Sequence, residues 1–133
     1  MRATSLGHAG ILIESGTSTI LCDPWFVPAF FGSWFVFPRN DQLPAEVLAK
    51  IESPTHLYIS HVHGDHLDEA FLADHVSRAA IVLLPDFPGR ELERRLSALG
   101  FTKFLKSIFY NFLKPIFNYF VFIFWDFYNL LCK

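Results

Sequence analysis

Cysteine is almost missing from this chain. The two present, Cys22 and Cys132, stand near opposite ends with no CxxC spacing, which excludes a disulfide framework and a cysteine-built zinc site and fits a reducing compartment. A long apolar N-terminal run is missing too. MRATSLGHAGILIE has one arginine followed by a short mixed segment, so no export signal is read and a cytoplasmic location is expected. Basic character is sparse where a nucleic-acid binder needs it: residues 1–100 carry twelve acidic side chains against seven basic ones. Nucleic acid is therefore not an expected partner. At 133 residues the chain has room for one modest domain.

What is present divides into two kinds of sequence. TSLGH, ILIES and STILCD are short, apolar or β-branched and separated by glycine-containing breaks, which predicts an antiparallel meander. A loop follows, broken by Pro24, Pro28 and Pro38 yet carrying Trp25, Phe26, Phe30, Phe31, Trp34, Phe35 and Phe37. It folds back onto the core or, if exposed, forms an aromatic wall beside a substrate or membrane. LPAEVLAKIES spaces Leu43, Val47, Leu48 and Ile51 as an amphipathic helix, THLYIS reads as a buried strand and LDEAFLADHV as a helix with acidic residues in its first turn. AAIVLLP is another strand, and PGRELERRLSALG a helix stopped by Gly100. Strand and helix alternating in this way predict an α/β (α+β) architecture.

From Ser107 onward there is no alanine, glycine or arginine, whereas residues 1–100 hold ten alanines and six arginines. Residues 107–133 are therefore read as a separate aromatic C-terminal helix or tail, either non-native, a single membrane helix over Pro115–Leu131, or a buried or oligomer-forming helix. That stretch is close to the minimum span of about 17 residues and is interrupted by Asn118, Asp126 and Asn129. If it spans, Lys103, Lys106 and Lys114 hold the main domain in the cytoplasm, anchored at the inner membrane.

The chemistry concentrates in YISHVHGDHLDE, where His61, His63, Asp65 and His66 form HxHxDH after a predicted buried strand. In an extended segment alternate residues share a face, so His61 and His63 can address one ion, and a turn at Gly64 lets Asp65 and His66 address a second. Imidazole and carboxylate donors suit zinc, manganese or iron, and a metal-activated water makes hydrolysis the natural reaction. His56 and His75 read as surface or satisfied core residues. His8, in GHAG, is intermediate: a structural group, or one at the mouth of the cleft.

SHVHGDH after THLYI resembles the metal-binding signature of the metallo-β-lactamase-fold hydrolases, and GHAGILIESGTSTILCDPW resembles their opening strands, with Asp23 ending the third. CDPWFVPAFFGSWFVFPRND and IVLLPDFPGRELERRLSALGF are similar to the branch containing lactonase-like and CMP-N-acetylneuraminate hydroxylase-like proteins. The resemblance covers residues 3–105. It implies the first half of an αββα sandwich over residues 1–106, with His61 and His63 on one metal, Asp65 and His66 on the other, and Asp65 also orienting the attacking hydroxide. It further implies a small-molecule substrate and up to two ions. The family takes later ligands from further strands, and no histidine follows His75 here. The expectation is thus a metal-dependent hydrolase, truncated, whose activity depends on ligands this half lacks. Pairing of two chains into a homo-oligomer is one way to complete the sandwich. The alternative is a noncatalytic binding or assembly module, tethered to a membrane through its tail. A Rieske iron–sulfur centre finds no second Cys/His cluster.

Overall fold

Six strands form one sheet in chain order in the computed structural model, which describes residues 1–106 apart from Pro38, Asp41 and Phe87. β1 (Arg2–Gly7), β2 (Gly10–Ser15) and β3 (Ser18–Cys22) pair antiparallel, as their apolar runs predict. β4 (His56–Tyr58), β5 (Ile81–Leu84) and β6 (Phe104–Lys106) then add in parallel. Parallel neighbours need crossovers. These are supplied by α1 (Ala45–Glu52), α2 (Glu69–His75) and α3 (Glu91–Ala98). The α/β expectation holds, with β6 an addition: three residues too short to stand out from the aromatic run receive their structure from pairing with β5.

Successive strand residues face opposite sides of a sheet, and here the two sides have different company. Leu12, Leu21, Leu57, Val82 and Leu84 share one buried cluster with Val47 and Ile51 of α1, Phe71 and Leu72 of α2, and Leu92 and Leu96 of α3. The three helices therefore cover one face. Ile11, Cys22, Tyr58 and Leu83 form a second cluster on the other. Burial drives the Cys22 thiol well above its ordinary pKa, and the neighbouring Asp23 adds to the shift. The thiol is thereby removed as a nucleophile or metal ligand.

Arg78 joins two helix ends. Its guanidinium donates to the carbonyls of Leu72, Val76 and Ala73 around the end of α2 and to Leu99 after α3, and lies 4.9 Å from the Phe101 ring centre. Gly100 beside it takes φ +93°, and a Cβ there would meet Arg78 at an ordinary 3.6 Å. Gly100→Ala is thus expected to cost about 1–2 kcal/mol from backbone strain alone. A urea midpoint unchanged in the variant would show that this helix stop does not depend on glycine.

The aromatic loop divides. Trp25 is buried and Phe26 stacks on Phe71 with ring centres 4.1 Å apart, whereas Phe30, Phe31, Trp34, Phe35 and Phe37 are exposed. Folding back onto the core accounts for the first two only. Among the described residues no helix is long and apolar enough to cross a membrane. The candidate span Pro115–Leu131, with the rest of residues 107–133, lies outside the described residues.

Candidate metal centre

The histidine motif begins where β4 stops, and Asp23 explains the stop. Its backbone N–H donates to the Tyr58 carbonyl at 3.0 Å, and its Oδ1 accepts the Ser60 N–H at 2.7 Å. A side chain thus takes the ladder partner that the next strand residue would otherwise use. The extended presentation expected for His61 and His63 gives way to a turn. The N–H groups of His66 and Leu67 both donate to the His63 carbonyl, at 3.0 and 2.7 Å. The turn gathers the motif more tightly than a pleat would. His61 Nε2 lies 3.0 Å from His63 Nδ1, His66 Nε2 lies 3.7 Å from Asp65 Oδ2, and the His61 and His66 ring centres are 4.0 Å apart. The His61–His63 and Asp65–His66 side chains thus lie side by side.

Proton bookkeeping around Asp23 sets which nitrogen of each ring is free. Asp23 is fully buried, and its Oδ2 accepts from Ser60 Oγ at 2.6 Å and faces His66 Nδ1 at 2.9 Å. A carboxylate only accepts, so His66 Nδ1 carries the hydrogen and Nε2 keeps its lone pair toward Asp65. Ser60 has given its one proton to Asp23, so it accepts from His61 Nδ1 at 2.8 Å, which leaves the His61 Nε2 lone pair facing His63. Donation of the far ring N–H to an oxygen is how metal-binding histidines are held. Burial, with His66 nearby, also lowers the His61 pKa. The shift favours the neutral ring, the form a metal requires.

The motif loop is held from below by α3. Arg95 donates to the Val62 carbonyl at 3.1 Å and to both oxygens of Glu69, at 2.8 and 2.7 Å. Its guanidinium holds the Glu69 carboxyl below its ordinary range. The stabilisation from this pair is present at neutral pH and fades as pH falls through that lowered pKa.

His8 also belongs to the site. It sits at the β1–β2 turn with φ +50°, after Gly7 at φ +90°, and its Nε2 lies 3.0 Å from Asp65 Oδ2. Gly10 makes this approach feasible: a Cβ there would fall 3.1 Å from the Gly7 carbonyl and 3.3 Å from that of Asp23. Among the described residues, His8, Asp65 and His66 form the one group of three metal-ligating side chains whose ligand atoms all lie within 4.8 Å of one another. His56 contacts Thr55 and His75 stacks on Phe71, both outside the cluster. Sequence reasoning left His8 open and passed over Ser60. The glycines flanking His8 were the available signal for the first, and nothing local marked the second.

No family model matches the chain. Over 107 residues it is 50% identical to a protein of Mycolicibacterium smegmatis named as a Rieske 2Fe-2S iron-sulfur protein, covering 80% of this chain and 20% of that one. Over 84 residues it is 32% identical to a metal-dependent hydrolase of Methylobacterium nodulans, covering 62% of this chain and 31% of the relative. Among solved structures it is similar to the isothiocyanate hydrolase from Delia radicum gut bacteria, with a TM-score of 0.56, 21% identity, and coverage of 80% of this chain and 41% of the other. The chain thus spans well under half the length of each. The described residues form an α/β unit corresponding to part of the fold of that isothiocyanate hydrolase, and the sequence relatives include proteins named as metal-dependent hydrolases.

Proposed function

We propose that this chain binds a divalent metal ion and carries part of the active site of a metal-dependent hydrolase of the metallo-β-lactamase kind. The observation that carries the reading is the group His8, Asp65 and His66, with the His61–His63 pair beside it and Asp23 and Ser60 holding the Nδ1 atoms of His66 and His61. The donor set, imidazole with one carboxylate, fits zinc first and accommodates manganese or iron. When bound, such an ion polarises an electrophile and acidifies water near neutral pH. Asp65, buried between His8 and His66, is the carboxylate placed to orient the attacking water by accepting its hydrogen bond. The aromatic loop reaches the motif, since Ala29 lies 3.8 Å from where a Gly64 Cβ would be. Its exposed rings suit a small-molecule substrate with an apolar part. Iron–sulfur chemistry has no support in the described residues, because a Rieske centre takes two cysteines with two histidines and Cys22 is buried among Ile11, Tyr58 and Leu83.

The test is hydrolysis of a panel of lactones, esters and thioesters by the zinc-loaded protein. Turnover is expected to stop on chelation, return with zinc and fall about 10²–10⁴-fold in Asp65→Asn. Turnover indifferent to both chelator and Asp65 would contradict the reading.

A further inference from the structure

We infer that His8 is a direct metal ligand, giving Asp65 and His66 the third protein donor that a catalytic zinc site requires. The inference rests on the reading of the cluster as a metal site and adds a residue outside the HxHxDH motif. Two imidazole Nε2 atoms approach one carboxylate oxygen: His8 at 3.0 Å and His66 at 3.7 Å from Asp65 Oδ2. With metal–ligand bonds of about 2.1 Å, neighbouring donors of a tetrahedral ion stand about 3.4 Å apart, and the two observed separations bracket that edge. His66 is committed through Nδ1 to Asp23, so its Nε2 and the His8 Nε2, which faces Asp65 Oδ2, fall in one small volume that an ion could take in place of the hydrogen between His8 and Asp65.

The placement of His8 is also strongly determined. Positive φ, here +50°, is uncommon for a residue other than glycine, though histidine adopts it more readily than most. His8 is held there by donation from its N–H to the Phe37 carbonyl at 3.4 Å and by edge contacts of its ring with Trp25 and His66, each at 5.2 Å between centres. Strain kept in place by surrounding contacts is characteristic of functional positions. The side chain remains about one-third exposed, so an ion has a route in from solvent.

The experiment uses the 133-residue chain carrying His61→Ala and His63→Ala, which isolates the cluster, loaded with one equivalent of Zn(II). X-ray absorption fine structure at the zinc edge counts the imidazoles bound, and competition with a chelator gives the affinity. Two imidazoles are expected. Adding His8→Asn, chosen because asparagine tolerates the left-handed backbone, should leave one imidazole. It should also weaken zinc binding by more than about 100-fold, beyond the roughly 10–100-fold that loss of an outer hydrogen-bond partner costs. Circular dichroism should report the same fold in both. An imidazole count and affinity unchanged by His8→Asn, with zinc lost in His66→Ala, would overturn the role of His8 while leaving the metal site intact. Failure of both this background and the unsubstituted chain to hold zinc would overturn the metal site as well.

Discussion

Replacing Asp23 by alanine is expected to lower stability by about 3–5 kcal/mol, the loss typical when one member of a buried charged network is removed. Three donors would lose their acceptor together: the Ser60 N–H, the Ser60 hydroxyl and His66 Nδ1. Asp23 is fully buried, so water does not readily replace it. A domain of about 100 residues shifts its Tm by roughly 4–8 °C per kcal/mol, so the change is large enough to leave the variant partly unfolded near 37 °C. Asp23 also has φ +38°, a conformation asparagine tolerates and alanine does not. Asp23→Asn therefore separates the two contributions. It keeps the backbone and one acceptor oxygen, and its loss should be clearly smaller than that of alanine. Urea unfolding of the pair checks this, and an alanine variant within about 1 kcal/mol of wild type would show that the Asp23 network does not hold the motif.

Asp68→Ala should cost a similar amount by a different route. One carboxylate oxygen accepts the Phe71 N–H at 2.9 Å and so caps α2; the other accepts the N–H groups of Phe26 and Val27, at 2.9 and 2.8 Å. A lost cap costs about 0.5–2 kcal/mol, and each hydrogen bond to a charged group about 1.5–3 kcal/mol, so a total of about 3–5 kcal/mol is expected after partial relaxation. The location of the damage is the sharper test. Amide exchange should accelerate at Phe26 and Val27 as well as in the first turn of α2, because one side chain ties the aromatic loop to the helix. Faster exchange confined to α2 would mean that the loop is held by the stacking of Phe26 on Phe71 instead.

The sequence made the strands and helices legible because their periodicities are local. Leu12, Leu21 and Leu57 alternate with residues of the opposite face, and Leu92 and Leu96 recur on one side of α3. The metal motif was legible for the same reason, since four ligand-type side chains fall within six positions. Its geometry was less so. The turn that replaces an extended segment depends on Asp23, distant in sequence, closing the ladder after Tyr58. His8 is brought to Asp65 across 57 residues by a hairpin whose approach depends on the absence of a side chain at Gly10. Ser60 reads as an ordinary strand-end serine until its hydroxyl is seen between Asp23 and His61. Contacts made by the fold carry these roles, and no local pattern encodes them.

The most direct test of the account is elemental analysis of the 133-residue chain, purified from zinc-supplemented cells and freed of loosely bound ions, beside an Asp65→Ala/His66→Ala variant. The account predicts about one equivalent or more of divalent metal in the unsubstituted protein, and far less in a variant that retains only the two-donor pair His61 and His63. Equal metal in the two proteins, or none in either, would contradict it.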